Sequence, residues 1–225
     1  MIFQNGWFPV GVVMAAWPVL LVIFALCAKQ AWVSVSQHRS AFLVAAVMLP
    51  LAWSLNASPE SGQLAGMSYH LLALNLTALM LGTSAAFCIS VLLFFPYLWL
   101  WGDWHMFPIN ALSVLLPPLL VNLGFRHWVS RLPANIFIFI FLNGFWAAAV
   151  GMVFTGVVLV GLLDWADVFD TTVLWKTAFP VFFLIAWAEA FLSGISTAIF
   201  IALKPQWICT FDDGRYLKSA PKIWQ

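Results

Sequence analysis

The side chains of this 225-residue sequence best suited to chemistry are two histidines, His70 and His105, each near a soft sulfur donor, Met67 and Met106. A neutral imidazole, a thioether and a deprotonated amino terminus at Met1 are all ligands for borderline or soft transition metals. Glu189 is the one acidic residue in the middle of an apolar stretch, FPVFFLIAWAEAFLSG, and Asn75, Asn110, Asn122 and Asn143 lie in other apolar stretches. Such groups are costly in hydrocarbon and turn toward a bundle interior, where they serve as packing bonds, a polar site or a proton path. No G-x-x-x-x-G-K-[ST] and no G-x-G-x-x-G occurs, so neither a P-loop nor a dinucleotide site is present. Cys27, Cys88 and Cys209 form no C-x-x-C pair, which leaves no disulfide framework and no zinc cluster.

The elements that must position these groups follow from composition. Hydrophobic residues make up 64% of the chain and charged residues 8%, against roughly 25% charged in a soluble domain. A water-soluble globule is excluded. Nine Lys and Arg against eight Asp and Glu give no basic surface for nucleic acid. Apolar runs lie at 10 to 28, 40 to 56, 68 to 101, 107 to 125, 134 to 163 and 174 to 203. The third is too long for one crossing and is interrupted by Gly82-Thr83-Ser84, so two short crossings are expected there. Pro108, Pro117 and Pro118 are expected to break or kink the next helix. Met1 to Pro9 carries no Lys or Arg, unlike the positive start of a signal peptide, so the initiator end is expected to be retained.

Seven spans put eight of the nine basic residues on one side, with Lys176 opposite. The fold class expected is therefore all-α: a polytopic membrane protein of seven transmembrane helices, amino terminus outside and carboxyl terminus cytoplasmic. Residues 1–203 would form the bundle and 204–225 a short cytoplasmic tail, with Asp213-Gly214 a weak hairpin signal or the tail disordered or docked to a partner. On this topology His38 and His127 sit beside Arg39 and Arg126 at the cytoplasmic interface. His70, His105 and the amino terminus share the outer side. Trp53, Trp99, Trp101, Trp104, Trp128, Trp165 and Trp175 fall at or near span ends, as an interfacial belt would. Gly144, Ala148, Gly151, Gly156 and Gly161 provide small residues for close helix packing.

Several short elements recur in a fixed order: Met1 followed by Gly6-Trp7-Phe8-Pro9, then Gly66, Ser68 and His70 as Gly-x-Ser-x-His, then Asn110, then Ala188-Glu189-Ala190-Phe191-Leu192. In that order they resemble the cobalt/nickel-uptake membrane subunits of energy-coupling-factor transporters, also called the cobalamin-biosynthesis permease family. The resemblance implies a seven-helix bundle into which the amino-terminal segment folds back. It also implies metal held by the terminal amine of Met1, by the second residue and by His70. Where the family has a histidine second, this chain has Ile2, which offers a backbone nitrogen alone and removes one corner of the square-planar nitrogen set that suits Ni(II).

The expected function is a metal-uptake subunit of the inner (plasma) membrane that captures a transition-metal ion as substrate and is driven by partner ATPases through an energy-coupling transmembrane subunit. Cobalt or nickel is the family's cargo; Met67, His105 and Met106 keep copper open, and Asn110 and Glu189 are further polar candidates. The alternative is a non-transporting membrane scaffold or assembly subunit that lost the metal site, with Ile2 as its main support. A membrane enzyme using Glu189 or His70 as acid or base is a third reading, and it lacks a nucleophile–base constellation.

Overall fold

A computed structural model describes residues 2–57 and 68–216, with Asn56, Ala57 and Trp101 as backbone. Among these residues the main helical segments are α1 (Val10–Gln37), α2 (Arg39–Ser54), α3 (Leu74–Leu81), α4 (Thr83–Trp101), α5 (Trp104–Val129), α6 (Ile136–Trp165) and α7 (Thr171–Leu203). Five of them, α1 and α4 to α7, are long and apolar enough to cross a membrane, and α2 is a shorter apolar helix of 16 residues. A two-residue antiparallel ladder, β1 (Asn56–Ala57) with β2 (Tyr69–His70), joins α2 to α3 and pairs Asn56 with His70.

The run from 68 to 101 divides at Gly82, but not into two short crossings. Helix α3 has eight residues, all buried. It rises about 12 Å against a hydrocarbon core of about 30 Å. The non-helical segment from Tyr69 to Ala73 carries the chain into the interior before α3 begins, and α4 then runs for 19 residues. Gly82 makes the turn at φ +82° and ψ 156°, a conformation reserved for residues without a β-carbon.

The prolines do not break α5. Residues Ala111–Leu115 widen into π-helix just before Pro117 and Pro118, whose missing N–H groups cannot reach the carbonyls of Ser113 and Val114. Leu174–Ala178 widens in the same way ahead of Pro180. A third π-segment, Phe139–Trp146 in α6, has a different cause. There the Asn75 side chain enters the helix ladder, its Nδ2 donating to the carbonyls of Asn143 (2.8 Å) and Gly144 (3.2 Å). The small residues of α6 admit close neighbours: a β-carbon at Gly151 would lie 3.2 Å from Pro118, whereas Gly161 faces open space.

Contacts sort the bundle into two ends. At one, Ser34 of α1 donates to Leu81 O (2.5 Å), Ser84 donates to Gln30 (2.8 Å), Arg126 reaches Thr83 (3.4 Å) and Arg215 donates to Ser130 O (2.8 Å). At the other, residues Ile2, Phe3 and Phe8 are buried, Phe3 bonds Asn110, and Trp7 packs on Phe169 at 5.2 Å. The segment after α7 docks on the first end instead of forming a hairpin. Cys209 N–H donates to Met80 O (3.2 Å), and the backbone and hydroxyl of Thr210 donate to Leu79 O (3.3 and 2.8 Å). Phe211 and Tyr216 both pack on Phe139 with ring centroids at 5.2 Å. Among the described residues this backbone has no strand to pair with; it meets the unused carbonyls of α3, and a short helix, α8 (Asp213–Tyr216), follows.

Candidate metal centre

His70 lies at the end of the bundle that receives the amino-terminal segment, with 2% of its surface exposed. Its Nδ1 is 2.9 Å from Leu71 O. A carbonyl can only accept, so Nδ1 carries the proton and Nε2 holds the lone pair. That Nε2 is buried and has no hydrogen-bond partner among the described residues. A buried acceptor without a donor costs about 1–3 kcal/mol and calls for an explanation. Ser90 Oγ and Asn143 Oδ1 are the other described atoms in this condition, but both sit inside spanning helices, away from the amino-terminal segment. At His70 one ring nitrogen is fixed by a backbone carbonyl and the other is free among the described residues, an arrangement that suits metal ligation.

The wall around His70 comes from α2 and α4. Tyr97 presents its ring edge-on to His70 at 5.8 Å and donates its hydroxyl to Trp53 O (3.1 Å). Trp53 donates its indole N–H to Leu72 O (3.1 Å) and packs on Phe94 and Tyr97. Trp53 is therefore wholly buried and does not belong to the interfacial belt, whereas Trp99, Trp128 and Trp165 are more than half exposed. Neither Trp53 nor Tyr97 stood out as a site residue from sequence. The available signal was chemical: a tyrosine tip in an apolar run must find a partner, and the chain has three tyrosines.

The amino-terminal segment is held by Asn110. Its Oδ1 accepts the Phe3 N–H at 2.7 Å and its Nδ2 donates to Phe3 O at 3.2 Å, so a side chain pairs with a main chain as a strand would. Ile2 is buried beside Gly102, where a β-carbon would lie 3.2 Å from its Cγ2. Met1 and Met67 lie outside the described residues.

Glu189 is buried at 3% exposure, but it does not share a cluster with Asn110 or Asn143 as its apolar context suggests. Its Oε1 accepts the N–H groups of Leu72 and Ala73 (3.0 Å to Ala73), and Oε2 lies 3.2 Å from Ala73 N. Those donors belong to the entrance of α3, where a helix has N–H groups with no partner of its own. The amides form a separate hub: Asn75 donates to Ser193 Oγ (2.7 Å) and accepts from Asn122 Nδ2 (2.7 Å). His105 and Met106 do not join His70. They lie on a single 3₁₀ turn fixed by Asp103, and with Met14 and Trp17 they line a separate cavity of about 370 Å³. Among the described residues no three His, Cys, Asp or Glu side chains gather to hold a metal ion, so His70 needs donors of another kind.

Over residues 3–207 the sequence matches the CbiM family, the cobalt uptake substrate-specific transmembrane region, and the chain belongs to that family. It is thus a multi-pass membrane component of transition-metal uptake. Two solved structures share the fold. One is a truncated transition metal transporter, 15% identical, with a TM-score of 0.76 over 91% of this chain and 99% of the other. The second is a transition metal transporter, 14% identical, with a TM-score of 0.77 over 90% and 93%. No curated protein sequence gives a significant match.

Proposed function

We propose that this protein is the substrate-capture subunit of a metal importer in the inner membrane. In this reading it takes a divalent transition-metal ion from the outer side, with His70 Nε2 as the fixed ligand and the terminal amine of Met1 and the backbone nitrogen of Ile2 as the others. The observation that carries the reading is the buried, unpartnered Nε2 of His70. Binding of the amino-terminal segment by Asn110 supports it, because that contact carries main-chain nitrogen into the same end of the bundle. Nitrogen donors favour Ni(II) or Co(II) over harder ions. Release to the cytoplasm then requires a second state of lower affinity, reached when an energy-coupling transmembrane subunit transmits ATP hydrolysis from partner ATPases.

Ile2 favours a second reading, a scaffold that keeps the bundle without the metal, since an aliphatic side chain stands where the family supplies an imidazole. Calorimetry separates the two. If the protein captures metal, Ni(II) or Co(II) binds, and both His70→Ala and one extra residue before Met1 abolish the heat. Affinity also rises with pH through about 7.7–8.0, where an ordinary terminal amine loses its proton. Ile2→His should bind more tightly than the parent by restoring the missing corner. A parent that binds neither these ions nor Cu(I), with Ile2→His also silent, establishes the scaffold.

A further inference from the structure

Glu189 and His70 are joined through one peptide group. The N–H of Leu72 and the C=O of Leu71 belong to the same planar unit. Glu189 Oε1 accepts that N–H, and the carbonyl at the other side of the plane accepts His70 Nδ1–H at 2.9 Å. Ala73 N–H, the next along, is also held by the carboxyl at 3.0 Å. The rest of the junction is equally committed. Trp53 Nε1 donates to Leu72 O, and the backbone and hydroxyl of Thr77 take Ala73 O at 3.2 and 2.9 Å. Ala73 itself stands at φ +55°, an unfavourable conformation for a residue with a β-carbon, and is kept there by these contacts.

We infer that Glu189 is a positioning residue for the metal ligand, acting through a carboxyl–peptide–imidazole relay. This rests on the reading of His70 as a ligand. A ligating histidine commonly donates its second N–H to a carboxylate or a carbonyl, which sets its tautomer and ring plane. Here the carboxyl is one peptide further out. By fixing the Leu71–Leu72 plane it orients the carbonyl that holds Nδ1–H, and so directs the Nε2 lone pair. Hydrogen bonds in such a chain polarise one another, which raises the basicity of the final nitrogen. Glu189 lies 119 positions from His70 in sequence and on a different helix, so α7 can move the ligand without touching the ion.

The test compares Glu189→Gln, Glu189→Asp and Glu189→Leu, with Ni(II) as the probe in calorimetry and ¹⁵N-histidine NMR of the metal-free protein. Gln keeps an oxygen at the position of Oε1, so affinity and a single Nδ1–H tautomer at His70 should largely survive. Asp is one methylene too short and Leu has no acceptor. Both should weaken Ni(II) binding by about 10–100-fold, the usual effect of losing an outer partner of a metal ligand, and should shift the ligand-field band and mix the tautomers. The inference is overturned if Leu binds as the parent with the tautomer unchanged. It is also overturned if Asp is parental while Gln falls, since charge and not peptide orientation would then be the requirement. If Leu does not fold, the Gln and Asp pair decides the matter. A parent that binds no Ni(II) defeats the ligand reading alone, because the His70 nitrogen signals still report the relay.

Discussion

Helices α1 and α3 show two ways of building a helix in a membrane protein. Helix α1 is 28 residues of almost unbroken apolar sequence, and Val19, Leu21, Val22, Leu26 and Trp32 on it are half to three-quarters exposed. Its exposed apolar face uses the bilayer as solvent. Helix α3 is eight residues, every one of them buried, and neither of its ends is satisfied from within. Glu189 takes the free donors at its entrance. At its exit the docked segment and Ser34 take the carbonyls of Leu79, Met80 and Leu81. Local hydropathy is enough to specify α1, while α3 exists because three other parts of the chain complete it. His70, the ligand in the function proposed above, lies just ahead of the second kind of helix, and a support assembled from distant parts can be altered from a distance.

The comparison breaks most severely at Asn75, the polar centre of α3. Its side chain serves Asn143 O, Gly144 O, Ser193 Oγ and Asn122 Nδ2. Single interhelical hydrogen bonds in membranes average about 0.6 kcal/mol, but Asn75→Leu strands several buried groups together, each costing about 1–3 kcal/mol when unmet. We expect a loss of about 3 kcal/mol, read as the largest fall in thermal midpoint in detergent of any change discussed here. A fall no greater than that of a single bond would mean that the hub rearranges around the leucine.

Cutting the chain after Leu203 tests the exit of α3. Two carbonyls lose their donors, and Phe139 loses Phe211 and Tyr216. The expected destabilisation is about 2 kcal/mol, with faster amide exchange at the exit of α3 and no change in α1. A gentler probe uses Cys209. Burial raises its thiol above the ordinary range, with Arg126 opposing, so less thiolate forms at a given pH than on a free cysteine. With Cys27 and Cys88 replaced by serine, maleimide should react slowly at pH 8 and gain rate only as the pH is raised further. Arg215→Ala, which releases the segment from the Ser130 and Leu132 carbonyls, should restore an ordinary thiol rate at pH 8. Equal rates in the two proteins would mean that the segment is not held there.

The same contrast explains what could be read from the sequence. The long spans and the break at Gly82 are local signals, and hydropathy carries them. The burial of Glu189 was legible through its isolation in an apolar span. The partner of Glu189 was not. Amide side chains are the polar groups that sequence displays, whereas the actual partners are backbone donors that become free only because Ala73 turns left-handed. Trp53 was misplaced for a similar reason. A tryptophan at a span end has the same sequence context whether it faces lipid or donates to Leu72 O, and the choice depends on a segment nearly twenty residues away.

Gly82→Ala sharpens the comparison at the joint between α3 and α4. No atom lies within 4 Å of the added β-carbon, so the whole cost is conformational. At φ +82° and ψ 156° that cost is about 1–2 kcal/mol, and Gly82→Asn should behave no better, since ψ here lies outside the left-handed helical region that asparagine tolerates. Metal affinity should fall less than thermal stability, because the joint is at the opposite end of α3 from His70.

The smallest effect belongs to α1. Leu26 is 75% exposed on a long apolar helix. In water, removing an exposed leucine from a helix changes little, and in a bilayer the reason is different: lipid tails are as apolar as the side chain they replace, so no transfer energy is lost. Leu26→Ala should therefore shift stability by less than about 0.5 kcal/mol and leave metal binding and Cys209 reactivity unchanged. The measurement is thermal unfolding in lipid nanodiscs with and without partner subunits. A loss above about 1 kcal/mol in the isolated protein would show that this face is packed against protein and not lipid. The division between a self-sufficient α1 and a dependent α3 would then fail at its simpler end.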